Sequence, residues 1–325
     1  MTMRKILIAI GIFLLSFTSA DANTIKVLIL DDIFQTIPDK EETLEKMGSL
    51  RGDLLVNGTH YFGNINVLKG KNSLYLINEL SFEDYIKNVV SAEVGTNWDM
   101  EALKVQAVIS RTYAMYQKNQ NNRNREYDIT SSVLHQVYKG SSFDTRISYA
   151  VMATEGEVLT YNGNLIEAFY HSTSGGKTED PSEVFGKSYP YLKPVESNCE
   201  LSPYWIWERR IPVEEIEKAL NIKEIKNMQI KSYTSTQRVK TLDVFHSEGL
   251  LNVETKDLRK ILGWSRLPST NFTLSRDNDN YVFDGKGYGH GVGLCQWSAL
   301  EMSREGMDYK QILDYFYPGT KLEKY

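Results

Sequence analysis

The chain has 325 residues, 37 Lys and Arg against 42 Asp and Glu, and a formal net charge of −5. That balance argues against a nucleic-acid binder, which carries a basic excess, and it lends no help in holding an anionic polymer, so recognition has to come from local groups. An apolar share of 41% with 24% charged residues is ordinary for a globular protein of one large domain or two.

The N-terminus reads Met1-Thr2-Met3-Arg4-Lys5, two cations ahead of the apolar run Ile6 to Phe17. That run is shorter than the ~20 residues a spanning helix needs. Ala20-Asp21-Ala22 follows as an A-x-A cleavage pattern, with Thr18-Ser19-Ala20 as the alternative. The expectation is a signal peptide over residues 1–22 and an exported, extracytoplasmic protein; an uncleaved anchor is the competing reading. Ile25 to Leu30 has the β-rich character of a strand, and residues 50–80 alternate short apolar runs with turn signals such as Asn57-Gly58. A β-rich segment over 23–69 is expected, either an appendage or part of the main fold.

Helical signals begin at Ser81, with apolar residues at helical spacing through Val90. Met100 to Lys118 is the strongest helix, with Thr96 or Asn97 placed to cap it. Leu103, Ala107, Ser110 and Ala114 fall on one side and Lys104 and Arg111 on another. Residues 129–200 read as strand and loop. A short acidic helix is expected over 212–220, strands over 239–253, a helix from Lys256 to Gly263, and a last helix over Tyr309–Phe316 closed by Pro318-Gly319. The class is α+β: one main mixed domain with a long helix, and the β-rich segment attached.

Three stretches are stranger than a core requires. Glu93 lies in the apolar and small run Val90-Ser91-Ala92-Glu93-Val94, so its carboxylate is either exposed at a helix end or held in a pocket, as acid catalysis needs. Arg111-Thr112-Tyr113 adds a cation and a phenol further on. His171-Ser172-Thr173-Ser174-Gly175-Gly176 is a run of hydroxyls before two glycines: either a polar turn, or a place where backbone amides approach a ligand. Gly285 to Gly293 sets five glycines around His290, an unusual backbone path. A nucleotide site is rejected, because a phosphate cradle would need a Lys and a Ser or Thr opening a helix after the glycines. Cys199 and Cys295 are the two cysteines, open to a disulfide, to buried thiols or to a metal site.

Taken together, these blocks resemble the SpoIID/LytB family. The resemblance rests on Glu83-Asp84-Tyr85, Val90-Ser91-Ala92-Glu93, Glu101 to Val108 and Arg111-Thr112-Tyr113. It continues through His171 to Gly176, Pro190-Tyr191-Leu192-Lys193 and Gly287 to Gln296. It runs in order from about residue 70 to the C-terminus and defines a domain over 70–325.

The resemblance implies a peptidoglycan lytic transglycosylase that acts on glycan strands stripped of stem peptides and leaves 1,6-anhydro-N-acetylmuramic ends. It makes Glu93 the acid, with Arg111, Tyr191, Lys193 and Glu200 lining the cleft. Glu200 stands where the family more usually has Asp, and Cys295 where it has a small residue such as Ser. Tyr113, the 171–176 hydroxyls and amides, and His290 complete the expected substrate-binding set. Some members carry zinc on a Cys/His cluster ahead of Gln136-Val137-Tyr138; here Thr130 to His135 has no cysteine, so neither metal nor cofactor is implied.

A single acid suits this chemistry, whereas a hydrolase needs two carboxylates. Glu93 must then hold its proton near neutral pH through desolvation or a nearby carboxylate such as Glu200, while Arg111 and a following helix N-terminus would work against that. Two alternatives stand beside this reading. One is a glycan-binding module that enhances a cell-wall amidase. The other is a zinc amidase built on His135, His171, His290 and a cysteine, which no H-x-x-x-H spacing supports.

Overall fold

The computed structural model describes residues 24–30, 36–39, 42–120, 126–132, 136–140 and 144–325, so the expected signal peptide lies outside the described residues. Strand β1 (Thr24–Leu28) is followed by the hairpin β2 (Glu45–Val56) and β3 (Thr59–Lys69). The hairpin turns on Asn57-Gly58, both at positive φ (47° and 78°), the backbone that matches strand twist in a two-residue turn. β4 (Leu74–Ser81) pairs antiparallel with both β3 and β1. One sheet therefore joins strands from either side of residue 69. Ile25, Val27, Tyr61 and Ile65 from those strands pack in one core with Tyr85, Ile86 and Val89.

Those last three belong to α1 (Phe82–Glu93), which begins where the Ser81 hydroxyl accepts the Asp84 amide. Helix α2 (Met100–Gln120) opens after Asp99, whose carbonyl takes the Leu103 amide; neither Thr96 nor Asn97 caps it. From Ala102 to Met115 every residue except Lys104 is buried, so α2 has no solvent face over four turns. Leu103, Ala107 and Ala114 join the core beneath the sheet, while Val105, Val108 and Ile109 enter a second core on the other side. The expected polar side of this helix does not exist, because elements pack on it from all directions. Strand β5 (Ile129–Thr130) then extends the sheet beside β1, giving the order β2-β3-β4-β1-β5.

The 129–200 stretch is not only strand and loop, for it contains α3 (Thr145–Ala153), which packs on α2. Asp144 starts it by accepting the Arg146 and Ile147 amides, and Ile147, Ala150 and Val151 form its buried face. Short strands follow: β6 (Glu157–Tyr161), β7 (Asn164–Leu165), β8 (Tyr170–His171) and β9 (Gly176–Lys177). A single-turn helix, α4 (Pro181–Phe185), starts on the Asp180 cap with Pro181 in its first turn. β10 (Glu196–Ser197) pairs with β9.

A second lobe comes next, with its own core. β11 (Trp207–Pro212), α5 (Val213–Leu220), β12 (Asn227–Tyr233), β13 (Val239–His246), β14 (Gly249–Glu254), α6 (Thr255–Leu262), β15 (Phe272–Asp277) and β16 (Asn280–Gly285) form two three-stranded sheets and two helices. Trp207, Ile211, Leu242, Leu258 and Phe283 pack at its centre. The chain then returns to the main unit. β17 (Leu294–Cys295) runs parallel to β8, α7 (Gln296–Arg304) and α8 (Tyr309–Phe316) cover α2, and β18 (Lys321–Lys324) closes on β6. The fold is α+β, and the β8–β17 pairing brings the 171 and 290 loops together. Among the described residues no helix is long and apolar enough to cross a membrane.

Candidate active site

Glu93 is the last residue of α1, and Val94 leaves the helix in extended backbone. Its carboxylate therefore stands at the negative end of a helix, where a negative charge is disfavoured. Three donors meet it. Oε1 accepts the Val137 amide at 2.8 Å and the Tyr170 hydroxyl at 3.0 Å, and Oε2 accepts the Gln296 amide at 3.4 Å. Burial raises the Glu93 pKa above the ordinary carboxylate value, and it outweighs those donors and the Lys139 cation, all of which favour the charged form. Neither Arg111 nor Glu200 sets this balance.

Behind the carboxyl runs a buried amide chain. Gln296 also donates to Gln106 Oε1 at 3.1 Å, and Gln106 donates to the Ser110 hydroxyl at 3.0 Å. Gln136 donates to the Ser110 carbonyl and accepts the Tyr85 hydroxyl. Each member satisfies the next, which fixes the side chains around Glu93.

Glu93 lines a pocket of about 480 Å³ together with Tyr113, Tyr170, His171, Ser172, His290 and Gln296. The second lobe supplies the facing wall, including Lys240, Arg259 and Trp264. One side is aromatic: Phe169 stacks on Phe185 with ring centroids 4.5 Å apart, and His290 sits 5.4 Å from the Phe185 ring. Such faces suit the apolar side of a sugar ring.

Both pocket histidines are neutral. Burial, and then the Arg259 guanidinium, press His290 down to about 4. Burial likewise presses His171 well below its usual value, helped by His290 and Arg238. His171 Nδ1 donates to the Val292 carbonyl at 3.1 Å, so Nε2 is an acceptor, and among the described residues it has no hydrogen-bond partner. His135, the third histidine of the zinc alternative, lies outside the described residues.

The other expected site residues divide sharply. Arg111 is 1% exposed and forms a bidentate pair with Glu83, at 2.8 and 2.7 Å. Its remaining donors reach the Glu157, Val151 and Ala107 carbonyls, so it ties α1, α2, α3 and β6 together away from the pocket. Tyr191 is buried between Tyr161 and Tyr189, and its hydroxyl accepts the Glu167 amide. Lys193 and Glu200 are exposed outside the pocket.

Thr173 exchanges backbone hydrogen bonds with Tyr288, and its hydroxyl lies 2.6 Å from that of Ser202. Ser174 donates to the Ser197 carbonyl. Gly175 takes φ +77°, and a Cβ there would come within 2.8 Å of Lys286 Cβ; at Gly287 one would meet the Thr173 carbonyl at 2.7 Å. Gly176 lies against the Trp205 ring. These glycines let the 172–176 and 285–289 loops touch each other, rather than opening backbone to a ligand. Only Ser172 of the hydroxyl run reaches the pocket.

Sequence reasoning missed Tyr170, Val137 and Gln296. Tyr170 adjoins a residue already singled out, but an amide 44 positions from Glu93 and a glutamine 203 positions away leave no local signal. Glu179 also lines the pocket, yet its carboxylate is occupied by the Thr234 hydroxyl, the Asp180 amide and Arg238.

A family model described as "Stage II sporulation protein" (SpoIID) matches residues 70–161, and a domain of unknown function (DUF8618) matches residues 191–293. The stage II sporulation protein D of Bacillus subtilis is 30% identical over 267 residues, 76% of each chain. An uncharacterized protein of Brachyspira hyodysenteriae is 31% identical over 279 residues, covering 83% of this chain and 74% of its own. The amidase enhancer of Bacillus subtilis is 29% identical over 293 residues, 74% of this chain but only 40% of that larger protein.

Proposed function

The chain belongs to the SpoIID family, and on that premise we propose that it is a peptidoglycan lytic transglycosylase with Glu93 as its single acid and base. It acts on the cell wall, outside the cytoplasmic membrane, in keeping with the N-terminal export pattern. The observation that carries the reading is Glu93 itself: a carboxyl raised by burial, facing a pocket, and held in place by three donors.

Protonated Glu93 donates to the glycosidic oxygen between N-acetylmuramic acid and the next sugar, and the C1–O bond breaks. The muramic 6-hydroxyl then bonds to C1, and its proton passes to the Glu93 carboxylate. The 1,6-anhydro ring forms, no water is consumed, and the acid is restored. Tyr170 and the Val137 amide stabilise the carboxylate in the interval between the two proton transfers. The Phe169–Phe185 wall and Trp264 support sugar rings on either side.

A second reading has a specific support, since one relative is named an amidase enhancer. In it, the same pocket binds glycan strands for a partner amidase without cutting them. Mass spectrometry of peptide-free glycan strands incubated with the protein separates the two. Anhydro-ended fragments that disappear with Glu93→Gln support the transglycosylase. Strands bound but intact with both proteins support the enhancer, and reducing ends overturn the single-acid chemistry.

A further inference from the structure

Cys199 and Cys295 are both free and both fully buried, and the reaction just described uses neither. Among the described residues no His, Cys, Asp or Glu group joins them to hold a metal ion. Ser174 touches both: its amide donates to the Cys295 sulfur at 3.3 Å, and its hydroxyl lies 3.3 Å from the Cys199 sulfur.

The place of this pair in the fold gives it consequence. Cys199 follows β10 where the chain leaves the main unit, and Cys295 ends β17 where the chain has returned. Between them lies the whole second lobe with its separate core. Cys295 is also paired with His171 across β8 and directly precedes Gln296, whose amide reaches Glu93. A bond between the two sulfurs would close the lobe at its neck and pin the strand that leads directly into Gln296, a Glu93 partner.

We propose that Cys199 and Cys295 form an intramolecular disulfide when the chain folds under oxidising conditions. Cys199 is the attacking thiol, because Cys295, Ser174 and the Gly175 and Gly176 amides hold it toward the thiolate, while burial pushes Cys295 the other way. The oxidant is an external disulfide, either a small-molecule disulfide or that of a thiol oxidase. The Cys199 thiolate attacks one of its sulfurs and releases the first reduced thiol. Cys295 gives up its proton and attacks the Cys199 sulfur of the mixed disulfide, releasing the second thiol. Two electrons and two protons leave the chain, and one S–S bond forms. Because both sulfurs are buried, the exchange takes place as the neck closes during folding.

The test refolds the reduced full chain in a glutathione buffer rich in the disulfide form and, in parallel, in dithiothreitol. Both samples are acid-quenched, alkylated and digested. The expected result is a peptide pair joined through Cys199 and Cys295 in the first sample and two alkylated thiols in the second. The oxidised protein should melt roughly 5–10 °C higher than the reduced one, and Cys199→Ser or Cys295→Ser should abolish that difference. Peptide mapping of the wild-type chain decides the matter even where a variant fails to fold. Thiols that remain alkylatable in the oxidising buffer, glutathione adducts or intermolecular dimers alone, or a disulfide that lowers the melting temperature would each overturn the proposal. None of these readouts depends on transglycosylase activity.

Discussion

The end of α1 and the middle of α2 each carry a charged residue inside an apolar helix, and their surroundings give the two opposite roles. Arg111 is saturated: a bidentate carboxylate and three backbone carbonyls use its donors, and no part of it faces the pocket. Glu93 is met by three donors, none of them charged, sits at a helix end that disfavours its charge, and opens on the pocket. An unusual charge in an apolar run therefore identifies function only when its environment leaves it out of balance. Arg111 holds the fold that places Glu93.

The widest separation between the two should come from Glu93→Gln. Turnover on peptide-free strands is expected to fall by roughly 10²–10⁴-fold, measured as anhydro ends released per unit time, with the fold retained. Arg111→Met should do the reverse. It removes the bidentate partner of Glu83 and one donor from each of three backbone carbonyls, and urea unfolding should show a loss of about 2–4 kcal/mol. An Arg111 variant of full stability but no activity would erase the distinction.

Stability against pH sharpens the comparison further. A carboxyl raised in the folded state contributes stability that is present below its unfolded pKa and is lost as pH rises through its folded pKa. For Glu93 that window opens near 4.5 and extends upward. At neutral pH, Glu93→Gln should thus be more stable than the native chain by roughly 0.5–2 kcal/mol, read from denaturant midpoints.

Smaller still is Tyr170→Phe, which removes one donor from the charged form. It should move the falling alkaline limb of the rate profile to higher pH and cost about 0.5–1.5 kcal/mol of stability. Lys193→Ala and Glu200→Ala, exposed and outside the pocket, should change stability by no more than about 0.5 kcal/mol and leave turnover near native; a large loss of turnover at either would return it to the site.

Elements with local signals were legible in the sequence. Ser81 and its following carboxylates announced α1, Asn57-Gly58 announced its hairpin, and the amphipathic run Tyr309–Phe316 gave α8 to the residue. Helix α7 was not, because it follows the glycine-rich loop directly and no side chain caps it. Helices α3 and α4 do carry caps, Asp144 and Asp180, but each is short and lies among residues of β and turn character.

The site divides on the same line. Glu93 stood out because a carboxylate interrupts an apolar run. Arg111 stood out as a cation next to a phenol and through the family resemblance, and only its bond to Glu83, made between helices, shows that its charge is used structurally. The hydroxyl and glycine run at 171–176 looked like a ligand cradle; its partner proved to be the 285–289 loop, a contact made across more than a hundred residues of chain.

The most direct test of the central claim, that burial raises the Glu93 pKa against its three donors, is a ¹³C NMR titration of the Glu93 carboxyl, assigned by its absence in Glu93→Gln. A midpoint above the ordinary glutamate value of 4.5 is the predicted result. A midpoint at or below it would mean that the donors prevail, that Glu93 is a standing carboxylate, and that the acid of this site is another group.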